Sequence, residues 1–445
     1  MTDKKIKIGV FPCDLETVMA DKKNSQYDFF YLTAIDTAEQ KWLTQFVKKE
    51  KIIYYHLAKN KHRLEENDFT DIFSFSDVTK AIKAKKLNYL WLTVNNHDRA
   101  FLKKWSEINK VKIIGPDFNL QANFESKIWF DQFLEKNNLP KPKSQIIHPT
   151  EKNIKISGKM VLQSIDSAGG EGTFFLDNKK QINDLLKAKK LNSQNKYLLR
   201  QFVTGDSFGI TLFTTPKIIA LSAIRLQCYQ PGANKNEKIF IGVQWQKNQI
   251  ANSLKNKIDK TFIELGQLLQ KNNFFGFANV DFILNKKGKI FILECNPRFS
   301  SATVQLLGLP KLIHGLKAGN LMVKSYLKNE KPSGKAKIYH FVKTNYEGAV
   351  LNIDIYPKKT LEIKKDFTPG VYTINKNQIN FISPDIKKIG LAKNNFIYMS
   401  MAQKHEKYSS HTNIGTLFAN YPLFTKNGSI NPAGKKLLAK FKNYE

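Results

Sequence analysis

The sequence predicts an α/β protein: an amino-terminal parallel α/β layer, a middle segment of hairpins and helices, and a small β-rich carboxyl-terminal domain. Three observations carry this. Strand-like runs alternate with helix-like runs over residues 1–118, the pattern of a small parallel sheet. A glycine-rich loop near 160–176 joins strand to strand, where a P-loop would run into a helix with Gly-Lys-Ser/Thr. Beyond Lys331 the chain is rich in strands and turns to about residue 400.

The elements follow in order. Lys5–Pro12 reads as a first strand ending in a turn, and Ile52–His56 and Tyr89–Val94 are β-branched and aromatic. Helical patterns lie around Thr37–Lys49 and Ser76–Lys86, with Ser76 as a candidate N-cap, and Ile113-Ile114-Gly115-Pro116 closes the layer. No Gly-x-Gly-x-x-Gly occurs there, so a dinucleotide site is not expected. One helical segment, Asn119–Asn138, should stop at the prolines of Leu139-Pro140-Lys141-Pro142. Met160–Gln163 and Phe174–Leu176 are short strands around the glycine loop. Residues 197–213 read as strand, turn, strand, and a helix is expected at about 256–271. Ala278–Leu284, the turn Asn285-Lys286-Lys287-Gly288 and Lys289–Cys295 form a β-hairpin by their turn chemistry. Pro369-Gly370 and Asn375–Asn377 punctuate the strands beyond, and Pro432–Lys442 is a final helix.

Composition limits the function classes. The 445 residues are 42% apolar and 12% aromatic, enough for sizeable cores, which excludes general disorder. No apolar run approaches the roughly 18 residues of a membrane helix, and the start of the chain is too briefly apolar for a signal peptide. Cys13, Cys228 and Cys295 are widely spaced, form no zinc pattern or disulfide framework, and suit a reducing cytoplasm. The net charge of +33 is concentrated in the last two thirds of the chain. Only Arg63, Arg99, Arg200, Arg225 and Arg298 among the basic residues are arginine, whereas nucleic-acid readers favour arginine forks. The lysine excess reads either as attraction of anions (nucleotide, acidic substrate, acidic polymer or anionic membrane) or as a plain solvated lysine surface, and nucleic acid is not expected as a partner.

The hairpin at 278–296 is the most informative stretch. Asp281 lies on its first strand; Glu294 and Asn296, two apart, share a face of the second. The turn folds Asp281 back toward them, so two carboxylates and an amide oxygen converge. Oxygen ligands of this kind suit Mg²⁺ bound to nucleotide phosphates, and Arg298 just beyond suits an anionic intermediate. Glu294 follows Phe291-Ile292-Leu293, and a charge on so apolar a strand needs a partner. Cys295, between two candidate ligands, should point to the opposite face and into the core. Arg225 and Gln227 alternate on a strand and face the cleft as candidate carboxylate contacts; Ser300 and Ser301 follow Arg298 at the substrate end. No Ser/His/Asp or Cys/His arrangement suggests a side-chain nucleophile.

The order of these pieces resembles the ATP-grasp superfamily. They are Lys127 on a helix, the strand and glycine loop at 160–176, Arg200-Gln201-Phe202-Val203-x-Gly205, Asp281, and Glu294-x-Asn296-Pro297-Arg298. The resemblance is to its carboxylate–amine and carboxylate–thiol ligases and its biotin-carboxylase-like members. It covers about 1–330 in layout and is most specific over 276–301. It implies a pre-ATP-grasp α/β domain at 1–118, a two-lobed ATP-grasp clamp at 119–330 (lobes about 119–195 and 196–330), and a β-rich domain at 331–445.

It also implies roles. Asp281, Glu294 and Asn296 resemble ligands that join two Mg²⁺ ions, with Mn²⁺ as an alternative, to the phosphates of ATP. Asn296 and Arg298 resemble the catalytic pair at the transferred phosphate. Lys127 falls on the nucleotide phosphates, Gly169, Gly170 and Gly172 in the loop covering them, and Gln201, Phe202 and Val203 on the adenine. The family pattern is departed from in three places. Gln163 stands where a second lysine is usual, Arg200-Gln201 where a glutamate is usual, and Ser207 where a ribose-binding glutamate is usual, which leaves Asp206 as the ribose candidate. The resemblance implies a cytoplasmic Mg-ATP-dependent ligase that activates a carboxylate as acyl phosphate and couples it to the amine of an amino acid or peptide, releasing ADP and phosphate. Its partners would be the small-molecule carboxylate and amine, and a homo-oligomer stays open. Two alternatives remain: a carboxylating ligase of biotin or purine type, although no Met-Lys-Met biotin-attachment motif is present, and a non-catalytic nucleotide-binding protein docking to a polyanion or membrane.

Overall fold

The computed structural model describes the chain except residues 1–4, 12–25, 58–71, 93–98, 166–171, 232–237, 304–317, 341–346 and 443–445, and a few short stretches or single positions (46, 74–75, 248, 329, 332–333, 357–358, 366, 376–377, 390–393, 401, 410–411). The first layer is a five-stranded sheet of β1 (Ile6–Phe11), β2 (Tyr27–Ala34), β3 (Ile52–Tyr55), β4 (Tyr89–Leu92) and β5 (Lys112–Ile114). All its pairings are parallel, in the order β3-β2-β1-β4-β5, so the direction of strand addition reverses between β1 and β4. The reading above places no strand at Tyr27–Ala34. Tyr-Asp-Phe-Phe-Tyr-Leu-Thr-Ala is almost wholly buried, and a strand covered on both faces shows no polar alternation to betray it. The helices here are α1 (Ala38–Leu43), capped by the Thr37 hydroxyl accepting from Gln40 N, α2 (Ser76–Ala84) and α3 (Arg99–Asn109).

The single helix expected at 119–138 is two helices, α4 (Phe118–Glu125) and α5 (Lys127–Lys136). Ser126 is the break. Its backbone is extended, and its hydroxyl accepts from Trp129 N, so it ends α4 and caps α5. Lys127 thereby becomes the first residue of α5. An antiparallel sheet follows: β6 (Ser144–Ile147), β7 (Met160–Ser164), β8 (Thr173–Leu176) and β9 (Tyr197–Gln201), in the order β6-β9-β7-β8. Helix α6 (Lys180–Lys187) covers one face by seating Ile182 against Met160, Leu162, Tyr197 and Leu199.

The largest sheet has 12 strands among the described residues. Its first half comprises β10 (Asp206–Thr215), β11 (Ile218–Leu221), β12 (Arg225–Pro231), β13 (Lys238–Trp245), β14 (Gly276–Leu284) and β15 (Ile290–Asn296). Helix α7 (Asn252–Lys271) packs Ile258, Phe262, Leu265 and Leu269 onto it. After α8 (Ala318–Leu327) come β16 (Lys337–His340), β17 (Gly348–Ile355), the short β18 (Leu361–Glu362), β19 (Gly370–Asn375), β20 (Gln378–Ser383), β21 (Asn395–Ser400), the short β22 (Lys407–Tyr408), β23 (Thr412–Ala419) and α9 (Pro432–Lys442). The ladder passes residue 331 without a break: β13 pairs with β17, and β11 with β16. The remaining two strands, β18 and β22, pair only with each other.

The layers are stapled together. Trp42 Nε1 donates to Pro384 O at 2.8 Å, and Gln403 Nε2 to Asp36 O at 2.5 Å. Phe299 packs between Trp91 of β4 and Phe277 of β14, with centroids 5.7 and 4.6 Å away. No helix of the described residues is long and apolar enough to cross a membrane.

Candidate functional site

The site is built on the β14–β15 hairpin. Asp281 stands opposite Glu294 and Asn279 opposite Asn296, and cross-strand partners share a face. The register then shifts so that Phe282 faces Ile292 and Leu293 is the extra residue. This bulge places Glu294 beside Asp281 while Ile292 and Phe282 stay in the core. Asp281, Glu294 and Asn296 are thus brought together as expected. Cys295, paired with Val280, points the other way, is 2% exposed, and has its thiol pushed well up by burial. Among the described residues no group of three His, Cys, Asp or Glu is arranged for a metal. Two carboxylates and one amide oxygen on one face are instead a hard-oxygen set, the chemistry that fits Mg²⁺.

Beneath these carboxylates lies a buried cation. Arg225, on β12 and 2% exposed, crosses β10 at Gly209 and donates from Nη1 to Thr211 Oγ1 at 3.0 Å. Its Nη2 reaches Asn279 Oδ1 at 3.5 Å and lies 4.0 Å from Asp281 Oδ1. A Cβ on Gly209 would sit 2.8 Å from the guanidinium carbon, so this crossing requires glycine. Burial lowers the Arg225 pKa to about 10, opposed by Asp281, and the guanidinium stays charged near neutrality. Gln227, on the same face of β12, donates from Nε2 to Asp281 Oδ1 at 2.5 Å. Asp281 itself is pushed up to about 7, first by burial and then by the Glu294 charge, against the pull of Arg225 and Gln227.

The Asn296–Arg298 segment is tied from two sides. Asn279 Nδ2 donates to Arg298 O at 2.7 Å, and Gln121 Nε2 of α4 donates to Pro297 O at 3.1 Å. Arg298 Nε meets Glu125 Oε1 of α4 at 3.3 Å, both side chains about one quarter exposed. Ser300 N donates to Thr303 Oγ1 at 2.9 Å, and the buried Ser300 hydroxyl has no hydrogen-bond partner among the described residues. Ser301 begins the short helical turn Ser301–Thr303.

The nucleotide candidates are spread over α5, the four-stranded sheet, the linker after β9 and the start of β10. Lys127 is buried at the start of α5. Gln163 of β7 accepts from Arg200 Nη1 at 3.0 Å. Gly172 has φ +64°, a left-handed conformation glycine adopts without strain, and its carbonyl accepts from Ser164 N at 2.9 Å to close the loop base. Gly169 and Gly170 lie outside the described residues. Gln201 ends β9, with its N–H on Lys143 O and that of Phe202 on Lys159 O, and Val203 follows in the linker to β10. Gly205 presses on the site hairpin: a Cβ there would lie 2.5 Å from Leu284 O. Asp206 is exposed at the start of β10, and the Ser207 hydroxyl is bonded to Tyr229.

The supporting residues Asn279, Thr211, Gly209, Gln121, Glu125 and Arg200 are not singled out as site residues by the sequence reading. The signal for Asn279 was available: it precedes Asp281 by two on the same strand and is a polar side chain in an apolar run. Gln121 and Glu125 act from another helix, a relation that only the folded chain shows.

Residues 124–302 match the family model of the ATP-grasp domain. The matched segment holds the site hairpin and the neighbouring four-stranded sheet. Among solved structures it is similar to biotin carboxylase from Campylobacter jejuni in complex with an ATP analogue (TM-score 0.61, 10% identity, 94% of this chain and 87% of that one). It is similar to the biotin carboxylase domain of 2-oxoglutarate carboxylase from Hydrogenobacter thermophilus, in complex with MgADP, ADP and bicarbonate (TM-score 0.60, 12% identity, 93% and 85%). It is also similar to carboxyaminoimidazole ribonucleotide synthase from Aspergillus clavatus complexed with ATP (TM-score 0.58, 12% identity, 100% and 99%). At these identities the shared property is the fold, a mixed α/β architecture running nearly the whole length of each chain.

Proposed function

We propose that the protein is a Mg-ATP-dependent, ADP-forming ligase that activates a carboxylate as an acyl phosphate and couples it to an amine. The observation that carries this is the Asp281–Glu294 pair set side by side by the hairpin bulge, with Asn296 ending the same strand and Arg298 two residues beyond it. Asp281, Glu294 and Asn296 would hold Mg²⁺, which supplies charge neutralisation at the phosphates. Lys127 and Gln163 would contact the phosphate chain, Val203 the adenine and Asp206 the ribose.

The chemistry follows from the charges. A substrate carboxylate oxygen attacks the γ-phosphorus, ADP leaves, and Arg298 sits where negative charge accumulates. The amine nitrogen then attacks the acyl carbon, the C–O bond to phosphate breaks, and the nitrogen loses a proton. Arg225, fixed beneath the carboxylates, offsets part of the charge that Asp281 and Glu294 concentrate there. No side-chain nucleophile is needed.

The test is ADP release from Mg-ATP with pooled amino acids and small carboxylates, wild type beside Glu294→Gln. Release that depends on a pool and disappears in the variant supports the ligase; ATP binding without release under every pool supports a binding module. A second reading, with bicarbonate as the carboxylate, is favoured by the likeness to a bicarbonate-bound fold. Its arm adds bicarbonate alone and with heterocyclic amines.

A further inference from the structure

Gln163 and Arg200 stand on adjacent antiparallel strands. Gln163 pairs with Leu198 and Arg200 with Val161, so the two lie diagonally on one face of the sheet. Arg200 is 2% exposed and fully engaged. Its Nε and Nη2 donate to Asp131 Oδ1 at 3.2 and 3.1 Å, and Nη1 donates to Gln163 Oε1 at 3.0 Å. The other Asp131 oxygen takes Lys141 Nζ at 2.8 Å and the Ser144 hydroxyl at 2.6 Å, so the carboxylate anchoring Arg200 is held in turn.

This geometry fixes an amide. A guanidinium has donors only, so the end of Gln163 that meets Arg200 must be its oxygen. Nε2 therefore points away from Arg200, and it has no protein partner among the described residues. Gln163 is the penultimate residue of β7, one step before the loop closed by Ser164 and Gly172. Lys127 lies four residues before Asp131 and so on the same face of α5. Arg200 is close enough to Glu294 for that carboxylate to act on it electrostatically.

We propose that Arg200 is a positioning residue for the phosphate chain of the nucleotide: it locks the Gln163 amide so that Nε2 faces the cleft and donates to a phosphate oxygen. This rests on the reading of the chain as an ATP-dependent ligase. The phosphate subsite is then completed by a neutral donor backed by a buried guanidinium. A cation at position 163 is disfavoured, because it would stand within hydrogen-bond distance of Arg200.

The test is calorimetric titration with MgATP, MgADP and adenosine of wild type, Gln163→Glu, Gln163→Lys, Arg200→Gln and the double variant Gln163→Lys/Arg200→Gln. A carboxylate at 163 still accepts from Arg200 but offers phosphate nothing. Gln163→Glu should therefore weaken ATP and ADP by roughly 10-fold or more and leave adenosine unchanged. Gln163→Lys alone should bind ATP no better than wild type, and removing the guanidinium in the double variant should restore affinity. Gln163→Glu leaves the Arg200–Asp131 pair intact, so it reads the subsite even if Arg200→Gln folds poorly. If Gln163→Glu binds ATP as tightly as wild type, or Gln163→Lys alone binds it more tightly, the proposal is overturned. Wild-type protein that binds no ATP would instead overturn the functional reading beneath it.

Discussion

Gln227 donates from Nε2 to Oδ1 of Asp281 at 2.5 Å, the same oxygen that lies 4.0 Å from Arg225 Nη2. Partners of this kind orient a metal-binding carboxylate, and their loss typically costs 10–100-fold in affinity. Gln227→Leu should weaken Mn²⁺ binding, followed by electron paramagnetic resonance, within about that range. A variant binding Mn²⁺ like wild type would show that Gln227 does not orient the ligand.

The raised pKa of Asp281, about 7, has a sign that can be followed in two ways. In metal-free protein the folded state holds this proton more tightly than the unfolded chain. Its contribution to stability is therefore greatest below the ordinary carboxylate range and is lost as pH rises through about 7. Mg²⁺ needs the carboxylate ionised, so its apparent affinity should rise with pH up to about 7 and level off above. Melting temperatures against pH, with and without Mg²⁺, should diverge as pH increases. Asp281→Asn should remove most of the divergence.

Gly205 has no room for a methyl group: Leu284 O, Ile283 Cγ2 and Asn285 Cα would stand 2.5, 2.7 and 2.9 Å from its Cβ. Two of these atoms are backbone of the site hairpin and cannot swing aside. Gly205→Ala should cost roughly 1–3 kcal/mol in urea unfolding and displace the linker from the hairpin, with a parallel loss of ATP affinity. Unchanged unfolding would mean the linker yields without strain.

Cys228 and Cys295 are buried, and burial pushes both thiols up. In a Cys13→Ser background the folded protein should react with a thiol-specific disulfide reagent only at the rate of unfolding. Fast labelling of either position would contradict the packing described.

The hairpin chemistry was legible because it is local. Thirteen residues and one turn bring Asp281 to Glu294, and period-two alternation names the shared face. Arg225 and Gln227 were legible only as a direction, since what they touch depends on which strand lies between. Gly209 on β10 is that strand's contribution, and its lone missing side chain carries no signal without the neighbour that crosses it. Ser126 could have been read as a cap, yet its flanks are equally helical, so the break hid inside one continuous pattern. Strand β2 was hidden for the opposite reason, being apolar at every position but Asp28 and Thr33, too few to make an alternation.

The ladder between β13 and β17 joins residues more than 100 positions apart, Trp245 with Gly348 for one. During synthesis β11 and β13 therefore keep open edges until β16 and β17 have emerged. Pairings of such long sequence separation are slow to form, and open edges invite other chains. Protein ended after residue 330 should accordingly accumulate as aggregate, and co-expressing residues 331–445 should return part of it to the soluble fraction.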